Sequence, residues 1–175
     1  MDILKQLKKK YESLELEPAC WVPSGIFAVD YLTNNRGIPA GRLVEIVGEV
    51  SVGKSITALY ILSIIQKMKG AAIYIDFEHT FNKEFSEKVA GFDTENALIL
   101  QPEYLEDAFK IIIEITQDLK KVSNDKLIGF VIDSIAAAPL KSEVEDLANT
   151  QNNIAEKARM LSLMLRKITS FIDDT

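Results

Sequence analysis

The sequence predicts an α/β fold, a three-layer arrangement with a mainly parallel sheet between helices, preceded by a short N-terminal helix. Three observations carry that expectation. Short apolar runs at residues 43–47, 71–75, 97–100 and 127–132 alternate with longer stretches whose apolar residues recur every three or four positions. That rhythm belongs to strand–helix–strand units with parallel strands. A glycine-rich loop separates the first run from the first long helical stretch, and the run at 127–132 is apolar throughout, as a strand covered on both faces requires.

The elements follow in order. Ile3, Leu4, Leu7, Tyr11 and Leu14 step along one face of an N-terminal helix whose other face carries Lys5, Lys8, Lys9 and Lys10. Glu17 and Pro18 end it, and a linker through Pro23, Ser24 and Gly25 follows, so residues 1–24 read as helix and linker and residues 25–175 as the core domain. The helix either packs on its own domain or docks on another subunit, within the linker's reach. Residues 43–47 read as a strand and 56–69 as a helix that Gly70 is placed to close. Strands at 71–75 and 97–100 come next. A helix over 103–121 then shows Leu105, Phe109, Ile112, Ile113 and Thr116 on or near one side. After the strand at 127–132, residues 149–153 form a polar loop containing Asn152 and Asn153. The last helix, 153–172, buries a stripe of Ile154, Ala158, Leu161, Leu165, Ile168 and Ile172 and leaves Arg159, Ser162 and Arg166 on one exposed face. No internal repeat is visible.

Composition narrows the function classes. The 175 residues, 47% hydrophobic and 26% charged, are enough for one domain with a true core and exclude a disordered or fibrous chain. Cys20 is the only cysteine, so no internal disulfide can form. The first ten residues lack a signal-peptide pattern, and no apolar run approaches the roughly 18 residues of a membrane helix, so a cytoplasmic protein with no membrane partner is expected. A net charge of −6 argues against coating nucleic acid by bulk charge, while leaving room for a local groove.

The chemistry starts at the glycine loop. Gly48, Glu49, Val50, Ser51, Val52, Gly53, Lys54 and Ser55 match G-x-x-x-x-G-K-[ST] between a strand and a helix. Glycines let consecutive backbone N–H groups, up to that of Ile56, turn toward phosphate oxygens, and the helix adds its positive end. Lys54 would neutralise the β- and γ-phosphates, and the Ser55 hydroxyl would bind Mg²⁺. A nucleoside triphosphate is therefore the expected ligand. Hydrolysis further needs a carboxylate near Mg²⁺ and a base that orients water. Acids at the C-terminal ends of parallel strands are the candidates. Asp133 follows an apolar strand as a Walker B acid does, while Asp76 and Glu78 lie two residues apart on the same side of an extended chain, and spacing alone leaves open which faces the nucleotide. His79 is a strand-end residue rather than the expected catalyst.

Residues 41–48 (Gly-Arg-Leu-Val-Glu-Ile-Val-Gly), 75–79 (Ile-Asp-Phe-Glu-His) and 132–137 (Ile-Asp-Ser-Ile-Ala-Ala) together resemble the RecA-type recombinases, as do Gln101-Pro102, Arg159-Met160 and residues 165–168. The resemblance runs in order from about Ser24 to Ile168. It implies a RecA-like P-loop core, Glu78 as the base that activates water, Asp133 as the Walker B acid, and ATP with Mg²⁺ as cofactors. Phe85 would stack on adenine, with Asn82 nearby. The family commonly has an acid where Asn82 stands, tyrosine where Phe85 stands and Pro-Glu where Glu49-Val50 stands. The resemblance also assigns Asn152, Asn153, Arg159, Ser162 and Arg166 to a single-stranded DNA surface, a role that phosphate contacts from amides, hydroxyls and a few arginines can fill in an acidic protein. Ile154 lies nearest the place of a wedge residue that separates base triplets. The implied function is a DNA-dependent ATPase that forms a helical filament on single-stranded DNA, docking through its N-terminal helix, and promotes pairing and strand exchange with duplex DNA. The alternatives are a regulatory ATPase of the same superfamily and a non-hydrolysing nucleotide-binding module. The family core is expected to run beyond residue 175.

Overall fold

The computed structural model describes residues 3, 18, 20–34, 36–123, 126–145 and 150–173, with side chains for 3, 18, 20–34, 36–123, 126–144 and 155–169. The N-terminal helix, with its proposed docking role, lies outside the described residues apart from Ile3. A two-stranded antiparallel ribbon, β1 (Trp21–Val22) and β2 (Ile38–Pro39), brackets α1 (Phe27–Leu32). The core follows as α2 (Lys54–Lys67), β3 (Ala71–Asp76), α3 (Lys83–Phe85), β4 (Ala97–Leu100), α4 (Leu105–Val122), β5 (Ile128–Asp133), α5 (Lys141–Glu145) and α6 (Thr150–Asp173).

The three core strands are parallel in the order β4-β3-β5, so β3 is central. Its side chains alternate between two layers. Ala72 and Tyr74 face a cluster with Leu59, Leu62 and Ile65 of α2 and with Phe92. Ile73 and Ile75 face the opposite cluster, with Leu105, Phe109 and Ile112 of α4, Leu140, and Ile168 of α6. Helices thus cover both faces of a parallel sheet, the expected α/β three-layer class. Each fully buried aliphatic side chain in these layers contributes about 1.5–3 kcal/mol through lost apolar exposure.

Several expectations are corrected. Residues 43–47 form no strand. Leu43, Val44, Ile46 and Val47 are all exposed, Val47 to 79%. A strand needs a ladder partner for its backbone groups, and among the described residues none pairs with this segment. β5 is not covered throughout: Phe130, Val131 and Ile132 are half-buried because, among the described residues, the strand pairs on one side only, with β3. The final helix starts at Thr150, so Asn152 and Asn153 have helical rather than loop backbone. Ala158 is exposed, and Met160 and Met164 join Leu161, Leu165 and Ile168 in the packed stripe; Ile154 and Ile172 side chains lie outside the described residues. The stripe is therefore rotated, which sets Arg159 and Arg166 roughly opposite it at about 100° per residue.

Gly70 helps to end α2, but Lys69 takes the left-handed conformation, with φ of 64°. Lys69 N–H donates to Gln66 O and Gly70 N–H to Ile65 O, both at 2.8 Å, the paired bonds of a Schellman ending. Glycine is needed at 70 for space: a Cβ there would meet Leu127 O at 2.7 Å and Ile65 Cγ2 at 2.6 Å.

Candidate functional site

The C-terminal ends of β3 and β5 lie side by side, with Asp76 paired to Asp133 in the sheet register. In an open parallel sheet this is the edge where ligands bind. The glycine loop leads into α2, which packs on the same two strands. Gly53 has φ of 95°, a left-handed value that favours glycine, and it is the residue before the first turn of α2. No side chain caps that turn, so its N–H groups and the positive helix end remain available to an anion. Across the loop, Lys54 Nζ donates to Glu49 O at 2.7 Å. Glu49, Val50, Ser51, Val52 and Ser55 are exposed, and Ile56 is half-buried.

The two acids left open by spacing have different surroundings. Asp76 is 0% exposed; its carboxylate accepts from Phe81 N–H at 3.1 Å, Thr80 N–H at 3.4 Å and Gln101 Nε2 at 3.0 Å. Those bonds hold the turn after β3 and occupy the carboxylate as a structural anchor. Glu78, on that turn, is exposed, and its Oε1 accepts from Ser134 Oγ at 2.7 Å. Ser134 directly follows Asp133, so the turns leaving β3 and β5 are joined by a side-chain bond between a candidate base and the neighbour of a candidate metal ligand. His79 is exposed at φ of 54° and makes the sharp step in that turn.

Asp133 is 9% exposed. Its Oδ2 accepts from the Tyr74 hydroxyl at 2.5 Å. Burial, and then the Asp133 carboxylate as hydrogen-bond partner and charge, hold the Tyr74 hydroxyl far above the ordinary tyrosine range, so it is a permanent donor. A serine hydroxyl and an aspartate are hard oxygen donors of the kind Mg²⁺ takes. Among the described residues no group of three or more His, Cys, Asp and Glu could hold a metal by itself. A Mg²⁺ ion here would complete its shell from phosphate oxygens and water, as this small cation does.

Asn82 caps α3, its Oδ1 accepting from Phe85 N–H at 2.9 Å. Phe85 is 52% exposed, beside the wide turn over Ser86–Ala90 that packs on α2. On α6, Arg159, Ser162 and Arg166 are exposed, and Arg166 Nε donates to Ser162 O within the helix at 3.1 Å. The side chains of Asn152 and Asn153 lie outside the described residues. Lys157, missed from sequence, ties this helix to the turn after β5: its Nζ donates to Ala136 O at 3.2 Å and Ala138 O at 2.5 Å. Tyr74 was missed as well, and Gln101 and Ser134 stood in the quoted motifs without a role. The one available signal was Tyr74 itself, a polar tip in an apolar strand and on the same face as Asp76.

Comparison with known proteins extends the picture. The model of the RecA N-terminal domain matches residues 4–175. Protein RecA of Aquifex aeolicus is 36% identical over 161 residues, covering 91% of this chain and 43% of the relative. Protein RecA of Nautilia profundicola is 37% identical over 164 residues, covering 93% and 44%. Protein RecA of Campylobacter fetus is 35% identical over 158 residues, covering 90% and 44%. The chain spans less than half the length of these relatives.

Proposed function

The chain belongs to the RecA family, matching its N-terminal domain, and from that premise we propose that it is the ATPase part of a recombination protein. In this reading it acts in the cytoplasm, binds ATP with Mg²⁺, forms a filament on single-stranded DNA, and promotes pairing and strand exchange with duplex DNA. The observation that carries the reading is the convergence on one sheet edge of a glycine loop entering α2, Asp133 at the end of β5, and Glu78 held by Ser134.

Each group then has a task. Backbone N–H groups from Gly48 to Ile56 bind the phosphates, Lys54 balances their charge, and Ser55 and Asp133 hold Mg²⁺. The metal, when bound, would neutralise charge developing on the phosphate oxygens. Glu78 accepts a proton from, and orients, the attacking water, while Ser134 fixes the carboxylate that does so. Phe85 offers a flat apolar face to adenine, and Asn82 holds the turn that carries it. Arg159, Ser162 and Arg166, with Asn152 and Asn153 before them, contact single-strand phosphates.

The test is ATP turnover with and without single-stranded DNA, paired with Glu78→Gln. Turnover should fall by about 10²-fold or more while ATP binding is retained. Hydrolysis unchanged in that variant would remove Glu78 from the mechanism, and no ATP binding by the unmodified chain would remove the reading itself.

A further inference from the structure

The Tyr74 hydroxyl has no packing reason to exist. The ring sits in the α2-side cluster, 5.2 Å centroid to centroid from Phe81, and the residue is 2% exposed. Phenylalanine would fill the same space without burying a polar atom, a burial that is unfavourable unless a hydrogen bond offsets it. Here the bond goes to Asp133. The register explains how: Tyr74 pairs with Val131, and Asp133 lies two residues farther along β5, on the same face. A tyrosine at this position therefore reaches diagonally across the strands to the acid at the sheet edge.

We propose that Tyr74 is a positioning residue for the divalent cation, clamping the Asp133 carboxylate in the orientation that, with Ser55, receives Mg²⁺. The role rests on the nucleotide-binding reading above and deepens it. Aspartate at the end of a strand can rotate its carboxylate, and Mg²⁺ tolerates little departure from octahedral geometry. Among the described residues, Tyr74 is the side-chain donor that reaches this carboxylate. Its one proton occupies a single acceptor site and leaves the other lone pairs for the metal shell. Outer hydrogen bonds of this kind typically govern metal affinity by tenfold or more.

The test is Tyr74→Phe in the full chain, read by binding of a fluorescent ATP analogue, first in EDTA and then across a MgCl₂ titration. The expected result is unchanged analogue affinity in EDTA and a Mg²⁺ half-saturation raised about tenfold. The same substitution in an Asp133→Ala background should move the half-saturation no further, because the clamp would have lost its object. An unchanged or lowered half-saturation overturns the proposal. So does a further loss in the Asp133→Ala background, or a loss of analogue binding already in EDTA, which would make the hydroxyl a general structural requirement. If the unmodified chain fails to bind the analogue, the nucleotide reading falls, and Tyr74's role with it. If it binds and Tyr74→Phe titrates identically, only the clamp falls.

Discussion

Asp76 and Glu78 differ by two positions in sequence and by almost everything in environment. Asp76, wholly buried, accepts from Thr80, Phe81 and Gln101, so the turn that displays Glu78 hangs on it. Asp76→Ala would remove the acceptor of three hydrogen bonds, from half-buried Phe81 and exposed Thr80 and Gln101, and we expect about 0.5–1.5 kcal/mol of lost stability per bond, read as a lower urea midpoint. Spacing could not separate the two acids, because an extended chain puts both on one side. What separated them was the turn after Glu78, which brings Thr80 and Phe81 back onto Asp76, and the arrival of Gln101 from just past β4. Neither is local to the pair. Tyr74 escaped notice for a related reason: its partner is 59 residues away, and only strand register brings them together.

Among the elements, those with a ladder neighbour or a clear apolar face were legible. α2, β3, β4 and α4 lie within two or three residues of where periodicity and breakers set them: α2, β3 and α4 pack apolar faces into the two layers, and β4 pairs along its length with β3. Residues 43–47 carry the composition of a strand and exposed backbone instead, since composition expresses a preference and a ladder needs a partner. α6 shows the same limit in a milder form. Its stripe was set from regular spacing, but Met160 and Met164 pack where Ala158 does not, and the rotation leaves Arg159 and Arg166 facing away from the core. An arginine so placed gives up little packing when removed, so Arg166→Ala should leave the unfolding midpoint nearly unchanged. If this face meets single-stranded DNA, that variant should bind it more weakly and lower the slope of log affinity against log salt by about one unit, measured by fluorescence anisotropy across a salt series. Equal affinity and slope would leave the helix as a solvated face.

For the whole molecule, the proposed nucleotide site predicts a stability that depends on the ligand. The loop from Gly48 to Val52 is exposed and makes no ladder, while the strands and helices behind it are packed on both faces of the sheet. Phosphates held by the first turn of α2, with a cation shared between Ser55 and Asp133, would tie that loop to α2 and to β5 at once. Binding to the folded form alone at a hundredfold excess over Kd stabilises it by about 2.7 kcal/mol, which for a chain of this size raises Tm by about 5–10 °C. The shift should need Mg²⁺ and ATP together for its full size. Lys54→Ala should abolish most of it under the proposed role of the lysine in balancing phosphate charge, while leaving the ligand-free Tm close to that of the unmodified chain: among the described residues Lys54 Nζ reaches only Glu49 O, an exposed contact whose loss costs little. Differential scanning calorimetry with ATP, with Mg²⁺ and with both separates these cases. A Tm shift that survives Lys54→Ala would mean that the nucleotide stabilises the chain from some place other than the loop entering α2.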